Sequence, residues 1–228
     1  MNMRIITLLL VLALSVNGMA QNCRSYLLLQ PGKTVEMTIY NKKGKEDGKQ
    51  VWNIGTVKNQ GSSTLATVKS EFFDKKGKSL NKAENQIKCT GGALNMNMKM
   101  MLNEDQVKSW GENAEVKATG EFLEYPANLK EGDNLPDGNL KMDIKTSQNL
   151  NISVELEVTE RKVVSKESVS SPAGNWDCLK ITSKQKIVSR VAGIGIPFKM
   201  DVTEWFAPGV GLIKTESKYG STLVTAIR

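Results

Sequence analysis

Alternation of apolar and polar residues with a period of two runs through most of this chain and favours β structure. Every second residue is apolar between Thr34 and Tyr40, and the pattern recurs over 140–144 and 150–158. This is the period of a strand with one buried face. About a dozen such runs, spaced by about 10 to 15 residues, predict a mainly β chain with one long antiparallel meander. A sheet of that size has to curl, so we expect a half-barrel, a barrel or a sandwich.

Two turns of nearly identical sequence separate predicted strands. Residues 40–45 (YNKKGK) match residues 73–78 (FDKKGK). Asn41 or Asp74 at the start of each turn is expected to hydrogen-bond nearby backbone, and the glycine takes the positive-φ position. Their lysines are interpreted either as solvated turn residues or as basic tips that contact an anionic surface, and the first interpretation is favoured.

The first twenty residues have the order of a secretory signal peptide. A short basic segment precedes an apolar run over 5–16, and small residues end the segment at Ala20. The apolar run is about a dozen residues long, whereas a membrane span takes about 20. We therefore expect a signal peptide at 1–20, then a single β-rich domain at 21–228 with no transmembrane span. The protein is expected to be exported to the periplasm or another part of the cell envelope.

Three cysteines, Cys23, Cys89 and Cys178, follow the signal. Their wide spacing excludes a local zinc knuckle, and in an oxidising compartment one pair among the three is expected to form a disulfide. The sequence does not choose the pair. Lipid attachment at Cys23 is the alternative to plain cleavage. It is disfavoured because Gln21 and Asn22 are not the small residues that precede a lipidated cysteine.

The residue types exclude most enzyme chemistry. No histidine occurs in the chain, which excludes Ser-His-Asp and Cys-His catalysis and histidine-ligated zinc. The acidic residues are scattered opposite apolar neighbours, so we predict a non-enzymatic protein with no catalytic residues, no cofactor and no metal site. The net charge of +7 suits an anionic membrane surface at least as well as nucleic acid, and export makes nucleic acid an unsuitable partner.

A methionine-rich run at 96–101 supplies the main binding candidates. Alternation predicts that its methionines at 96, 98 and 100 share one strand face. One short helix is predicted just beyond, over 103–111, from its capping pattern. Flexible apolar side chains on the inner face of a curled sheet suit an acyl chain, and the helix would plug the opening. The predicted ligand-lining residues are Met96, Met98, Met100, Val107, Trp110, Leu140, Met142 and Ile144.

These patterns leave three functions open. The leading hypothesis is non-enzymatic binding of a lipid or other apolar molecule in the concave sheet. The second is a solid-core scaffold or interaction module that meets an envelope protein through its basic turns or an edge strand. The third is binding of Cu(I) by the thioethers of the methionine run, since thioether sulfur is a soft ligand.

Two C-terminal motifs carry a family resemblance: residues 172–181 (PAGNWDCLKI) and residues 204–216 (EWFAPGVGLIKTE). With the turn at 40–45 and Lys88-Cys89, they resemble an uncharacterised family of exported envelope proteins, common in Bacteroidota and labelled TapB-like. The resemblance covers most of the chain beyond the signal. It implies an exported β-rich fold, like the half-barrel of periplasmic lipoprotein carriers, and it implies no catalytic residues.

Overall fold

The computed structural model describes residues 23–102, 115–120, 122–146, 150–191 and 193–228. The expected signal peptide and the predicted helix at 103–111, with Val107 and Trp110, lie outside the described residues. Within the described part, the helical segments are three short 3-10 turns, Cys23–Ser25, Leu27–Leu29 and Met98–Met101.

Thirteen strands form one antiparallel sheet, and the predicted mainly β fold is confirmed as a curled half-barrel. The strands are β1 (Thr34–Asn41), β2 (Glu46–Gln60), β3 (Ser63–Asp74), β4 (Ser79–Thr90), β5 (Ala93–Asn97), β6 (Glu115–Thr119), β7 (Phe122–Tyr125), β8 (Gly138–Lys145), β9 (Asn151–Ser171), β10 (Gly174–Val191), β11 (Ile194–Ala207), β12 (Gly211–Ser217) and β13 (Gly220–Ile227). Their order in the sheet is β6-β8-β9-β10-β11-β12-β13-β1-β2-β3-β4-β5-β7. Most neighbours in this order are consecutive in sequence, as a meander requires.

The two edge strands of the sheet are neighbours in the chain. β6 pairs with β8 at one edge, and β7 pairs with β5 at the other. Only three residue steps, about 11 Å, separate the end of β6 from the start of β7. The two edges therefore approach each other. Gly138 shows how close they come, because a Cβ at this position would lie 2.5 Å from Leu123 Cδ1 and 3.1 Å from Met98 Sδ.

The two related turns have the predicted geometry. The side chain of Asn41 accepts a hydrogen bond from a backbone N–H two residues ahead at 2.9 Å, and that of Asp74 does the same at 2.8 Å. Gly44 and Gly77 complete the turns with φ of 70° and 78°. The sequence match therefore reflects a shared hydrogen-bonding solution that fixes the register of two hairpins.

The methionine run does not continue as a strand, so the prediction of alternation through Met100 is wrong. β5 ends at Asn97, whose side chain accepts a hydrogen bond from the Lys99 backbone N–H at 2.9 Å. This local bond competes with the strand ladder and starts a 3-10 turn over Met98–Met101. The methionines at 96, 98 and 100 are nevertheless all buried in the main hydrophobic core.

The first described residues, 23–29, close one end of the curl, and we call them the plug. Cys23 forms a disulfide with Cys89, leaving Cys178 as the free cysteine. Tyr26 is buried and donates its hydroxyl hydrogen bond to the Gly92 carbonyl at 3.2 Å. The plug is thus fastened covalently and by hydrogen bonding to β4 and the turn that follows it.

The glycines of the motif at 204–216 receive the plug. The Leu27 backbone N–H donates to the Gly209 carbonyl at 2.9 Å. A Cβ at Gly211, where φ is 126°, would lie 2.7 Å from Leu28 Cδ1. A side chain at position 211 would therefore displace the buried Leu28, which explains in structural terms why this position is a glycine.

Candidate functional site

The end of the curl opposite the plug, which we call the open end, exposes apolar side chains. β11 runs from Phe206, whose ring lies 6.4 Å from that of Tyr26 in the plug, to the far end of the strand about 40 Å away. At that end Ile194 and Ile196 are 76% and 75% exposed. We call the four exposed residues Val191, Ile194, Ile196 and Phe198 the apolar mouth.

The apolar mouth is the end of a continuous apolar inner face. The strand register sets three rows side by side across β6, β8, β9, β10 and β11, about 19 Å wide in total. The outermost row is Val116, Ile144, Ile152, Val191 and Ile194. The second row is Ala118, Met142, Val154, Ser189 and Ile196, and the third is Leu140, Leu156, Ile187 and Phe198. Burial increases from the first row to the third, so the surface leads from solvent into the core.

The outer face of the same strands is charged. Glu155 pairs with Lys141 at 3.4 Å and with Arg190 at 3.5 Å, and Glu157 pairs with Lys186 at 3.1 Å. Of the eight large hydrophobic side chains exposed among the described residues, only Val164 lies away from the open end. Seven of these eight exposed side chains therefore lie at one end of the sheet.

A groove of ≈ 520 Å³ opens at this end of the sheet. Ile144 and Ile152 contribute apolar wall, but six of its nine lining residues are polar. Four of these, Lys117, Asp143, Ser153 and Arg190, are register partners on the outer face of the sheet. The groove therefore lies at the rim of the sheet, largely on the charged outer face, and is not itself the mostly apolar concavity that is typical of an apolar-ligand site.

A buried charged cluster lies deeper in the curl, between the plug and the apolar rows. Arg161 and Glu204 are each 1% exposed. Arg161 Nη1 donates hydrogen bonds of 2.7 Å to the carbonyls of Glu124 and Pro136, and its guanidinium carbon lies 4.8 Å from the centre of the Tyr125 ring. Tyr125 donates its hydroxyl hydrogen bond to Glu204 Oε2 at 3.0 Å. The cluster joins β7, β9, β11 and the 126–137 loop across the interior.

The ionisation of this cluster is dominated by burial. Burial raises the pKa of Glu204, although the Arg161 charge and the Tyr125 hydrogen bond both act to lower it. Burial also raises the pKa of Tyr125 well above its usual value, and the charge of Glu204 adds to the rise. Both groups are enclosed and mutually bonded, so we assign the cluster to holding the sheet together.

Comparison with known protein families identifies a family that matches most of this chain. Residues 30–222 match the model of the DUF3108-like family. The chain belongs to the DUF3108-like family. No curated protein matches it.

Two solved structures share the architecture of this DUF3108-like chain. A protein from Parabacteroides distasonis ATCC 8503, inferred to be a lipoprotein, is 23% identical with a TM-score of 0.71, and the match covers 88% of this chain and 96% of that one. A protein of YmcC-like fold from Bacteroides fragilis NCTC 9343, inferred to be exported, is 24% identical with a TM-score of 0.68 over 87% and 96%. At these identities the likeness establishes the fold alone.

The structure separates the predicted ligand-lining residues of the DUF3108-like domain into two groups. Leu140, Met142 and Ile144 lie in the three inner rows that end at the apolar mouth, and β8 alternates buried and exposed residues throughout. Met96, Met98 and Met100 lie in the closed half, where Met98 contacts the position of Gly138. All six are at most 6% exposed. Val107 and Trp110 lie outside the described residues.

Sequence reasoning missed the apolar mouth because residues 193–197 (GIGIP) favour a turn. The structure instead continues β11 through them from Ile194. β12 pairs with β11 only from Val202 onward. Among the described residues, the part of β11 before Val202 therefore pairs only with β10. Pro197 is tolerated on such an edge, where it also discourages the addition of a further strand. The signal that predicts the mouth is the spacing of Ile194, Ile196 and Phe198.

The two C-terminal motifs of the family resemblance meet on the outer face. Trp205 Nε1 donates to Glu167 Oε2 at 2.9 Å, and Glu167 also pairs with Lys180 at 3.0 Å. The ammonium nitrogens of Lys180 and Lys214 lie 5.5 and 4.3 Å from the centre of the Trp205 indole. Cys178 is buried beside this tryptophan in a small second cluster. Trp205 thus faces outward, while its neighbours in the motif face the interior.

Thiol counting tests this placement of the cysteines. Cys178 is buried, and burial raises the pKa of its thiol to about 11, so little thiolate is available to react near neutral pH. We expect an aromatic disulfide reagent to label no thiol in the native protein, one after denaturation, and three after denaturation with reduction. Rapid labelling of the native protein would contradict the buried position of Cys178 or the Cys23–Cys89 disulfide.

Two further findings concern the described residues as a whole. No helix among them is long and apolar enough to cross a membrane. Nor do they contain a group of three or more histidine, cysteine or acidic side chains placed to hold a metal ion.

Proposed function

We propose that this DUF3108-like protein is a non-enzymatic, exported envelope protein that binds an acyl chain at the open end of its half-barrel. The observation that carries the proposal is the apolar row from Val116 to Ile194, which crosses five strands and continues into the buried core. Val116, Val191 and Ile194 in this row are exposed, and exposed apolar side chains gathered at one end of a fold are typical of a binding site. Burial of Ile194 and Ile196 against a ligand would contribute about 3 kcal/mol.

The shape of the molecule supports the same function. The plug and the buried cluster close one end, so an apolar molecule would contact the protein at the other end, where Val191, Ile194 and Ile196 are exposed and the deeper members of the rows are buried. Ser189 is the sole polar member of those rows, so the surface offers almost nothing to a polar ligand.

Export is supported by the chemistry of the plug as well as by the signal-like first twenty residues. A Cys23–Cys89 disulfide persists in an oxidising compartment. The sulfur of Cys23 cannot be in this disulfide and also carry a thioether-linked lipid, so plain cleavage is favoured over lipid anchoring at this residue. The two structural neighbours, one inferred to be exported and one a lipoprotein, agree with an envelope location. The narrower TapB-like assignment stays a prediction.

The two other hypotheses differ in their support. The closed half, with the three methionines in one contiguous core, suits a solid-core interaction module, and that function becomes the favoured one if acyl binding fails. Binding of Cu(I) stays a prediction, but its premise that the three sulfurs share a strand face is wrong because β5 ends at Asn97.

A titration with a fluorescent monoacylglycerol tests the proposed function. Its uncharged head group removes any contribution from lysines. We expect saturable binding by the chain from residue 21 onward. We expect the Ile152→Asp and Ile194→Asp variants to bind at least tenfold more weakly, because each places a carboxylate in the outermost apolar row, where burial without a partner is unfavourable.

The matched control is Val164→Asp, which alters the one exposed large hydrophobic side chain that lies away from the open end among the described residues. It is expected to bind like the unchanged protein. Urea midpoints for all variants separate lost binding from lost folding. Met98→Gln is unsuitable here, since this residue is fully buried and its substitution tests packing. Absence of saturable binding by the unchanged protein would refute the proposal.

A further inference from the structure

We infer that the open end of the half-barrel docks on an anionic lipid surface, with the apolar mouth entering the interface and three basic turns contacting the head groups. The inference goes beyond acyl binding, because it assigns a partner surface and an orientation. It is carried by the placement of the turns, which is independent of the apolar rows.

The strand topology gathers three lysine-rich turns at the open end. Register pairs Asn41 with Gly220, which sets the turn at 42–45 beside the turn at 218–219. The turn at 75–78 adjoins the first of these, because Gly48 pairs with Asp74. The seven lysines of these turns are Lys42, Lys43, Lys45, Lys75, Lys76, Lys78 and Lys218.

The hairpin turns at the opposite end of the sheet differ from these turns in charge. Its four hairpin turns are residues 61–62, 91–92, 172–173 and 208–210, and none of these nine residues is charged. Two of the turns bond to the plug, through the carbonyls of Gly92 and Gly209. The lysine-rich hairpin turns therefore lie at one end of the sheet, whereas turns that only needed solubility would carry charge at both ends.

The charge of the basic turns is available to a partner. Among the described residues, no acidic side chain forms an ion pair with any of these seven lysines. The acids within two residues of the turns are Glu46, Asp47, Asp74 and Glu216. Seven positive charges against four negative ones leave an excess of three. Such a cluster is attracted to anionic lipids and weakly to neutral ones.

One of the basic turns, at 218–219, is in direct contact with the apolar mouth. The ring of Phe198 in the mouth lies 4.7 Å from that of Tyr219, centre to centre. The Lys218 ammonium lies 5.1 Å from the centre of the same tyrosine ring. Apolar side chains flanked by lysines and a tyrosine form the pattern of a surface that lies in a membrane interface. Pro197 on the free edge of β11 disfavours the alternative of strand addition by a protein partner.

Flotation with vesicles tests the docking surface. We expect the chain from residue 21 onward to float with phosphatidylglycerol–phosphatidylcholine vesicles and not with pure phosphatidylcholine. The variant Lys42→Ser/Lys43→Ser/Lys75→Ser/Lys76→Ser is expected to bind the anionic vesicles at least tenfold more weakly, since each lysine near such a surface strengthens binding about fivefold. Ile194→Ser/Ile196→Ser is expected to weaken it as well.

A second quadruple variant, Lys58→Ser/Lys130→Ser/Lys162→Ser/Lys166→Ser, removes the same charge from other exposed sites and is the matched control. Loss of binding to the same degree in both quadruple variants would show an effect of net charge alone and overturn the inference. Failure of the unchanged protein to float with anionic vesicles would also overturn it. The basic-turn variant is expected to keep its affinity for the uncharged acyl probe, so the two proposals can fail separately.

Discussion

Replacing Arg161 by methionine is expected to lower the free energy of unfolding by about 3 to 5 kcal/mol. The substitution keeps most of the buried volume but removes the two 2.7 Å hydrogen bonds to the carbonyls of Glu124 and Pro136. It also leaves the enclosed carboxylate of Glu204 without the positive charge that lowers its pKa. Urea unfolding followed by circular dichroism measures the change.

The matched control for this prediction is Arg190→Met. The side chain of Arg190 is 44% exposed and its ion pair with Glu155 spans 3.5 Å, so its loss is expected to cost less than about 1 kcal/mol. Equal losses for the two arginine variants would show that Arg161 does not hold the curl together through its buried contacts.

Glu204→Gln is expected to restore part of the stability that Arg161→Met removes, because it eliminates an uncompensated buried charge.

The same reasoning determines how the stability depends on pH. Burial raises the pKa of Glu204 in the folded state above its usual 4.5, so the folded protein keeps this proton where the unfolded chain has lost it. The free-energy cost of burying the Glu204 charge is absent when the pH is below the pKa of this group in the unfolded chain. It grows as the pH rises through the pKa of Glu204 in the folded protein. The Arg161→Met loss should therefore be larger at neutral pH than in acid, and strict additivity of the two substitutions would contradict this coupling.

Local sequence explains why the buried cluster was not predicted. Residues 159–162 (TERK) are typical of an exposed strand face, and continuing the alternation from the buried Val158 would place Arg161 outside. The register instead shifts between β9 and β10, and Glu160 has a φ of 52°. This bulge inserts an extra residue and turns the side chain of Arg161 inward. No local pattern shows such a bulge, whereas the strands themselves follow from the period of two.

The candidate site was predictable in part for similar reasons. Leu140, Met142 and Ile144 were identified from alternation, and the structure sets them in the rows that lead to the apolar mouth. The mouth itself was missed because the glycines and proline of 193–197 outweighed the alternating apolar residues between them. The convergence of the basic turns at the same end depends on pairings between distant segments, such as Asn41 with Gly220, which sequence patterns do not specify.

Reducing the Cys23–Cys89 disulfide is expected to destabilise the fold by about 4 kcal/mol, since the bond closes a loop of 66 residues. The loss should be concentrated at the plug, where Tyr26, Leu28 and Leu29 are buried and depend on a short segment for their position. Urea midpoints of the unchanged protein with and without reductant measure the effect. The Cys23→Ala/Cys89→Ala variant should resemble the reduced protein and show no further response to reductant.

The same experiment distinguishes the two ends of the molecule. Because the apolar rows and the basic turns lie at the end opposite the plug, the reduced protein should retain binding to the acyl probe and to anionic vesicles under conditions where it remains folded. If binding is lost while circular dichroism is unchanged, the plug controls the open end through the sheet, and the separation into a structural end and a binding end is wrong. If the midpoint does not change on reduction, the disulfide does not stabilise the plug.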